Sequence, residues 1–421
     1  MPIRGSINMH GDKSISHRAL LISSLIPGQN NIKNLSTAED VLHTLKCLND
    51  IGIISSIEKN NIVIIGRTFS NPNQQLFCGN SGTTMRLLSG LLVGLNIIAK
   101  LDGDESLQRR PMDRILRPLK IMGANISSAN SKAPILIKKS DAIKDLNYNM
   151  DIASAQVKSA LLLAGVASNK KVHISEENKS RDHTEIMLND IGYDLNIKGN
   201  SIIYNRTFNK PNNIDIDIPG DISSASFFIG AACMIPNSDL RINNVLINDT
   251  RMGFINVLKK MDAGIIIHNP RYINGEKIGD IQVHYKPLYG VDINSTDIPS
   301  IIDELPILAV VATQAEGITR VSGAEELRYK ESDRIFAVVE NLKKMGVKVI
   351  EKKDGFVIEG PSILSNAAIN SYDDHRIAMA FIIAGISSGN YNEIDNIDCI
   401  KISYPEFLET LKRIIRWNFF I

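Results

Sequence analysis

The residues with the greatest chemical capacity in this chain fall into short clusters. "GDKSISHRAL" (Gly11–Leu20) offers Lys13, Ser14, His17 and Arg18, "GNSG" offers Asn80, Ser81 and Gly82, and "SLQRRPMDR" offers Arg110. Further along come "ASAQ" with Ser154, Ala155 and Gln156, and "NKSRDHTE" with Ser180 and Arg181. "DIPSIIDELP" adds Asp303 and Glu304, "LRYKESDR" adds Lys330, Glu331 and Arg334, and "DDHR" adds His375 and Arg376. Guanidinium groups grip phosphates and carboxylates with two parallel N–H bonds, so arginines without a metal motif point to a phosphorylated or carboxylated ligand. Metal chemistry is not indicated, because Cys47, Cys78, Cys233 and Cys399 are scattered with no CxxC pair or companion histidine.

Taken singly, each cluster has an ordinary explanation. Ser14, Ser154 and Ser180 read as helix caps, and the arginines read as solvated or paired with nearby acids. Asp303 and Glu304 could be acids favoured by a helix dipole, His375 a structural histidine, and Cys78 buried filler rather than a reactive thiol. The functional reading rests on joint placement. Six segments begin with capping residues and turn apolar on nearly every face: "GDKSISHRALLISSL", "GNSGTTMRLLSGLLVGL", "DIASAQVKSALLLAGVA", "DISSASFFIGAACM", "DIPSIIDELPILAVVAT" and "DDHRIAMAFIIAGISSG". They recur about every 70 residues, the mark of an internal repeat. Their polar residues therefore share the end of a helix where free N–H groups and the positive dipole favour anions.

Other elements repeat as well. "LKCLNDIGI", "LRPLKIMGANI", "IMLNDIGYDL", "VLKKMDAGIII" and "NLKKMGVKVI" each read as an amphipathic helix closed by glycine and followed by a β-branched strand. Gly52, Gly123, Gly192, Gly264 and Gly346 are the expected C-caps. Hairpins are expected with Asn60–Asn61 and Asp354–Gly355 at their tips. Pro111 suits a first helical turn, which places Arg110 just outside that helix. One repeat is thus two helices and about four strands, an α/β (α+β) fold class. At 421 residues the chain is long enough for two cores. Three repeats fill residues 12–220, and three fill 221–421 together with 1–11, whose strand is expected to pair with the second half.

Composition removes several function classes. Lys and Arg number 47 against 46 Asp and Glu, so no global field favours nucleic acid. The most apolar run, Leu87–Leu101, is too short and interrupted to span a bilayer. "MPIRGSINMHGDK" lacks the apolar core of a signal peptide, so a cytoplasmic protein is expected.

Eight of these stretches, in order from residue 11 onward, are similar to the successive signatures of the 5-enolpyruvylshikimate-3-phosphate synthase family: "GDKSISHRALLISSL", "GNSGTTMRLLSGLL", "GDESLQRRPM", "ASAQVKSALLLAG", "KSRDHTEIML", "IDELPILAVVA", "ELRYKESDRI" and "DDHRIAMAF". The resemblance implies an inside-out α/β barrel in each of two domains, an active site in the cleft between them, and closure of that cleft by substrate. It implies transfer of the enolpyruvyl group of phosphoenolpyruvate to the 5-hydroxyl of shikimate 3-phosphate in chorismate and aromatic amino acid biosynthesis. No cofactor is implied, and the partners are the two small substrates. A monomer is expected.

By correspondence of motifs, Lys13, Gly82, Arg110, Gln156, Arg334 and Arg376 would meet phosphoenolpyruvate. Lys13, Ser14, Arg18, Ser154, Ala155, Gln156, Asp303 and Lys330 would meet shikimate 3-phosphate. Asp303 would be the base at the 5-hydroxyl, with Glu331 and Lys13 handling protons on the other substrate. The two substrates carry roughly five to six negative charges, which accounts for the basic residues. His17 is expected to be scaffold.

Ala155 stands where many family members have a second serine, and "SRDH" replaces a segment with tyrosine, as in a divergent bacterial branch where Arg181 takes part in binding. Lys401 in "KISYPEF" is displaced by one position from the family's lysine and is left out of the binding set. Gly82 leaves the phosphoenolpyruvate pocket, the glyphosate site of the family, unnarrowed by a methyl group. A sister transferase acting on UDP-N-acetylglucosamine would show Lys-Asn in place of Lys13-Ser14 and a cysteine ahead of its Arg-Pro. A non-catalytic anion-binding protein would leave Asp303 and Glu331 unexplained.

Overall fold

The computed structural model describes residues 1–59, 61–207, 211–389 and 391–415, and the chain gathers into two compact units. The N-half is Gly11–Ile218 with Tyr272–Glu276, and the C-half is Met1–His10, Pro219–Arg271 and Lys277–Ile421.

Three helices run through the interior of the N-half: Lys13–Leu25, Gly82–Leu95 and Ala155–Ser168. Each is capped by a side chain, Asp12, Ser81 or Ser154, that accepts from the backbone N–H three residues on. In the first helix the cap is thus Asp12, one residue before the Lys13–Ser14 pair. The second and third helices approach closely because Gly90 and Gly94 bring no side chain to the contact. A Cβ on Gly90 would lie 2.0 Å from the carbonyl oxygen of Ala160, and one on Gly94 2.5 Å from that of Ala164.

Around these helices stand three sheets of one topology. Their strand orders are Asp215–Asp217, Gly28–Lys33, Asn61–Gly66, Ile54–Glu58; then Leu76–Phe77, Ala99–Asp102, Ile135–Ile137, Ile126–Ser128; then Leu146–Met150, Val172–Glu176, Ser201–Tyr204, Leu195–Lys198. In each the first pair is parallel and the other two are antiparallel. One face of every sheet alternates into the core, and helices supply the rest of the apolar surface.

The C-half repeats the scheme with helices Ile222–Met234, Leu305–Ala312 and His375–Ser387. Its first sheet places Arg4–Asn8 parallel to Asp239–Leu246, followed by Glu276–His284 and Gly264–Ile273. Pairing of the first strand with this half is therefore observed. The second sheet places Leu288–Tyr289 parallel to Ala315–Val321, then Gly355–Gly360 and Val349–Lys352 antiparallel. The third is reduced to the parallel pair Ala368–Ile369 and Glu393–Ile394. Helix Phe407–Ile415 follows it, and Phe407 stacks with Phe227, Phe228 and Tyr404.

Local expectations meet the structure unevenly. Gly52, Gly123, Gly192 and Gly346 have φ of +95°, +93°, +92° and +83°, the left-handed turn that ends a helix. Gly264 instead opens a strand, and Asp262 (φ +68°) makes the left-handed turn after helix Gly253–Lys260. Pro111 is not inside a helix: Arg110 closes the short helix Glu105–Arg109, and the next helix begins at Asp113. The expected second hairpin is present, but its two turn residues are Lys353 and Asp354 and Gly355 opens the returning strand, whereas Asn60 of the other tip lies outside the described residues. Among the described residues no helix is long and apolar enough to cross a membrane, and no His, Cys, Asp and Glu group is arranged to hold a metal ion.

Candidate active site

The sequence-selected residues fall into two groups, one in each half. In the N-half they gather at the starts of the three interior helices. Lys13, the first residue of its helix, donates from Nζ to Asp40 Oδ2 at 2.9 Å. Gly82 opens the second helix, and a Cβ there would stand 3.0 Å from Arg86 Nη1 and 3.5 Å from Arg110 Nη1. Two guanidinium groups thus lie within a methyl's reach of the helix start. Arg110 Nη2 donates to Asn80 Oδ1 at 2.6 Å and to Ser106 Oγ at 3.2 Å. Arg86 Nη1 donates to Gln156 Oε1 at 2.6 Å, and Gln156 Nε2 donates to Thr83 Oγ1 at 3.0 Å. Ser154 and Ala155 form the cap and first residue of the third helix.

Arg18 is only 3% exposed. Its Nη1 donates to the carbonyl of Ser14, Nη2 to Ser159 Oγ and Nε to Thr184 Oγ1, each at 2.8 Å. The arginine therefore ties the Lys13–Leu25 and Ala155–Ser168 helices to helix His183–Asp190. His17 is buried on the same helix, with Nδ1 2.7 Å from Thr44 Oγ1, which is 2.7 Å from Thr84 Oγ1. Burial first, then the charges of Lys13 and Arg18, hold its pKa well below the usual 6.5. A neutral, enclosed imidazole is scaffold. Cys78 is also buried, and its hydrogen bond with Cys47, then burial, pushes the thiol far above its ordinary range. It is filler and not a nucleophile.

In the C-half the group centres on Arg334, the first residue of helix Arg334–Lys344 and 1% exposed. Its Nε donates to Asp374 Oδ2 at 2.8 Å and its Nη2 to Glu331 Oε2 at 2.6 Å. Asp303 Oδ1 lies 3.6 Å from Nη1, beyond a hydrogen bond, and Nη1 has no other acceptor among the described residues. Burial alone would lower the guanidinium's pKa, but the carboxylates of Asp374, Glu331 and Asp303 overcome it and raise the value. Arg376 donates from Nη1 to the carbonyl of Asp303 at 2.8 Å, and its backbone N–H is capped by Asp374 Oδ1 at 2.9 Å. Lys330 Nζ stands 3.6 Å from Glu326 Oε1. Glu304 is buried and accepts from Ser223. Lys401, paired with Asp398 at 2.7 Å, is largely exposed.

Three residues central to these groups escaped the sequence reading. Asp40 and Asp374 are partners brought up from distant segments; Asp374 is visible as the cap of its own helix, but neither residue's pairing is marked locally. Arg86 carries a detectable signal, a charge one turn into an otherwise apolar helix, where only a paired or ligand-facing arginine is tolerable.

The family model described as EPSP synthase (3-phosphoshikimate 1-carboxyvinyltransferase) matches residues 1–411. The chain belongs to the EPSP synthase family. It is 45% identical over 416 residues to a 3-phosphoshikimate 1-carboxyvinyltransferase of Thermodesulfovibrio yellowstonii, covering 97% of each chain. It is 45% identical to another from Petrotoga mobilis, covering 98% of this chain and 97% of the relative. A solved EPSP synthase from Acinetobacter baumannii superposes with a TM-score of 0.87 at 37% identity, covering 98% of this chain and 96% of that one. The enolpyruvyl transferase NikO from Streptomyces tendae shares the fold, with a TM-score of 0.78 at 15% identity, covering 98% and 95%. The likeness to two enolpyruvyl transferases agrees with the inside-out fold that the family resemblance implied, and the family match leaves the UDP-N-acetylglucosamine and non-catalytic readings unfavoured.

Proposed function

We propose that this enzyme transfers the enolpyruvyl group of phosphoenolpyruvate to the 5-hydroxyl of shikimate 3-phosphate and releases inorganic phosphate. The observation that carries the reading is the setting of Arg334, a buried cation with Glu331 on one nitrogen and Asp303 close to another. Two carboxylates beside one fixed guanidinium can divide the proton traffic that addition and elimination require.

In this reading Asp303 takes the proton of the 5-hydroxyl as its oxygen attacks the substituted enol carbon. Glu331 and Lys13 deliver the proton that converts the methylene to a methyl group. The tetrahedral adduct then loses phosphate and that proton to restore the double bond. Arg110, Arg334, Arg376 and Lys13 balance the charge of phosphoenolpyruvate, with Gly82 letting it approach and Gln156 beside it. Ser14, Ser154, the backbone at Ala155, Gln156, Lys330 and Lys13 hold shikimate 3-phosphate, and Arg18 serves that substrate in part by fixing the Ser14 carbonyl. Arg181 and Lys401 are outside the assignment. A monomer working in the cytoplasm is the expected form, checked by sedimentation and cell fractionation.

The test is phosphate release from phosphoenolpyruvate by the purified protein with shikimate 3-phosphate or UDP-N-acetylglucosamine offered separately. Release with the first alone is expected. Release with only the second, or with neither, would overturn the reading.

A further inference from the structure

The strongest unassigned cluster of the N-half is a lysine enclosed by two carboxylates. Lys158 lies one turn beyond the Ser154 cap and has no exposed surface. Its Nζ is 2.8 Å from Glu176 Oε1 and 2.7 Å from Glu185 Oε1, and both glutamates are buried. Glu176 ends the strand Val172–Glu176, and Glu185 stands in the first turn of helix His183–Asp190. The ammonium therefore fastens both ends of the connecting loop, residues 177–182, to the helix that starts at Ala155.

The loop is also held in its middle. Ser180 donates its backbone N–H to Glu176 Oε1 at 3.0 Å and its hydroxyl to Glu176 Oε2 at 2.6 Å, while its carbonyl accepts from Lys158 Nζ at 3.3 Å. All three polar groups of one residue are thus spent on the triad. The next residues stay in this frame, since Thr184 shares hydrogen bonds with Ser159 and Arg18. A methionine or leucine would fill the Lys158 site with less desolvation cost, because burying an ionic cluster brings little net stability. What the charges supply is geometry: a loop pinned at two ends and its middle.

We propose that Lys158 is a positioning residue for the sugar-phosphate substrate, acting through Glu176, Glu185 and Ser180 to fix loop 177–182 relative to the Ser154–Gln156 helix start. The inference rests on the proposed function, since shikimate 3-phosphate is the ligand of that helix start. It touches no reacting atom itself.

Lys158→Met separates positioning from general support through the two Michaelis constants. The variant should raise KM for shikimate 3-phosphate about 10-fold or more while KM for phosphoenolpyruvate stays within about 2-fold. Trypsin should cut faster after Arg181, and Lys158→Arg should recover most of the affinity. An unmoved KM for shikimate 3-phosphate, or equal rises in both constants, would overturn the proposal. Should Lys158→Met fail to fold, Glu185→Gln keeps the shape and the Lys158–Glu176 pair, and a rise of about 3-fold in the same constant alone is expected. No rise there overturns it equally. Wild-type protein that releases no phosphate with shikimate 3-phosphate would sink the function and this inference together, whereas normal wild-type turnover with unmoved variants counts against Lys158 alone.

Discussion

The arginines at the helix starts of the two halves are held differently. In the N-half, Arg110 rests on Asn80 and Ser106, and Arg86 on Gln156 and the carbonyl of Pro111, all neutral groups. In the C-half, Arg334 is ringed by Asp374, Glu331 and Asp303, and Arg376 lies 3.9 Å from Glu304. A neutral acceptor orients a cation without cancelling it, which suits Arg86 and Arg110 to anionic ligands. Carboxylate partners cancel it, so the C-half offers fixed acids whose positions a buried cation dictates. Lys13, at the start of the first interior helix, is instead paired with a carboxylate, that of Asp40. It is also the N-half residue to which proton transfer is assigned.

That contrast can be broken most directly at Arg334. Arg334→Ala leaves the buried carboxylate of Asp374 without its cation and should cost about 3–5 kcal/mol of stability, along with nearly all turnover. Denaturant unfolding measures the first and phosphate release the second. Asp303→Asn keeps the side chain's shape and should cost less stability than Arg334→Ala, yet lower kcat by roughly 10²–10⁴. Near-normal kcat would remove Asp303 as the base.

Arg110→Gln probes the other side of the comparison. The Asn80 and Ser106 oxygens it bonds are neutral, so stability should fall by less than with Arg334→Ala while KM for phosphoenolpyruvate rises roughly 10- to 100-fold. If it destabilised the protein as much as Arg334→Ala, the distinction between the halves would fail. Gly82→Ala should be milder, raising that KM about 3- to 10-fold as its methyl presses on Arg86 and narrows the approach to Arg110.

The smallest effect concerns His17. Its folded-state pKa is depressed, so the unfolded chain binds a proton that the folded chain refuses. Stability from this residue is therefore complete above pH 6.5 and falls as pH drops below it, by up to about 1.4 kcal/mol per pH unit. His17→Asn should flatten that part of the pH–stability curve, read from thermal unfolding between pH 7 and 5.

The sequence made the repeats legible because a helix buried on every face has an unmistakable composition, as in "DISSASFFIGAACM". It also made Lys13, Arg110, Arg334 and Arg376 visible, since each stands at a helix boundary where charge needs a reason. Pairing was not legible. Nothing near "ESDR" announces that Asp374, 40 residues on, holds Arg334, because the contact comes from the return of the chain and not from local spacing. Turn chemistry misled at Gly264, where Asp262 adopts the left-handed conformation and leaves the glycine to start a strand. At Pro111 a helix-start signal was outweighed by the short helix that Arg110 closes.

The parallel partnership of Arg4–Asn8 with Asp239–Leu246 also sets a timetable. The ribosome makes the first of these strands about 230 residues ahead of the second, a delay of roughly ten to fifty seconds at ordinary translation speeds. The main segment of the N-half, Gly11–Ile218, can begin folding in that interval while the earlier segment stays unpaired. "RGSIN" suits such a wait: four of its five residues remain exposed even in the finished sheet, and its single buried apolar side chain gives stray chains little to hold.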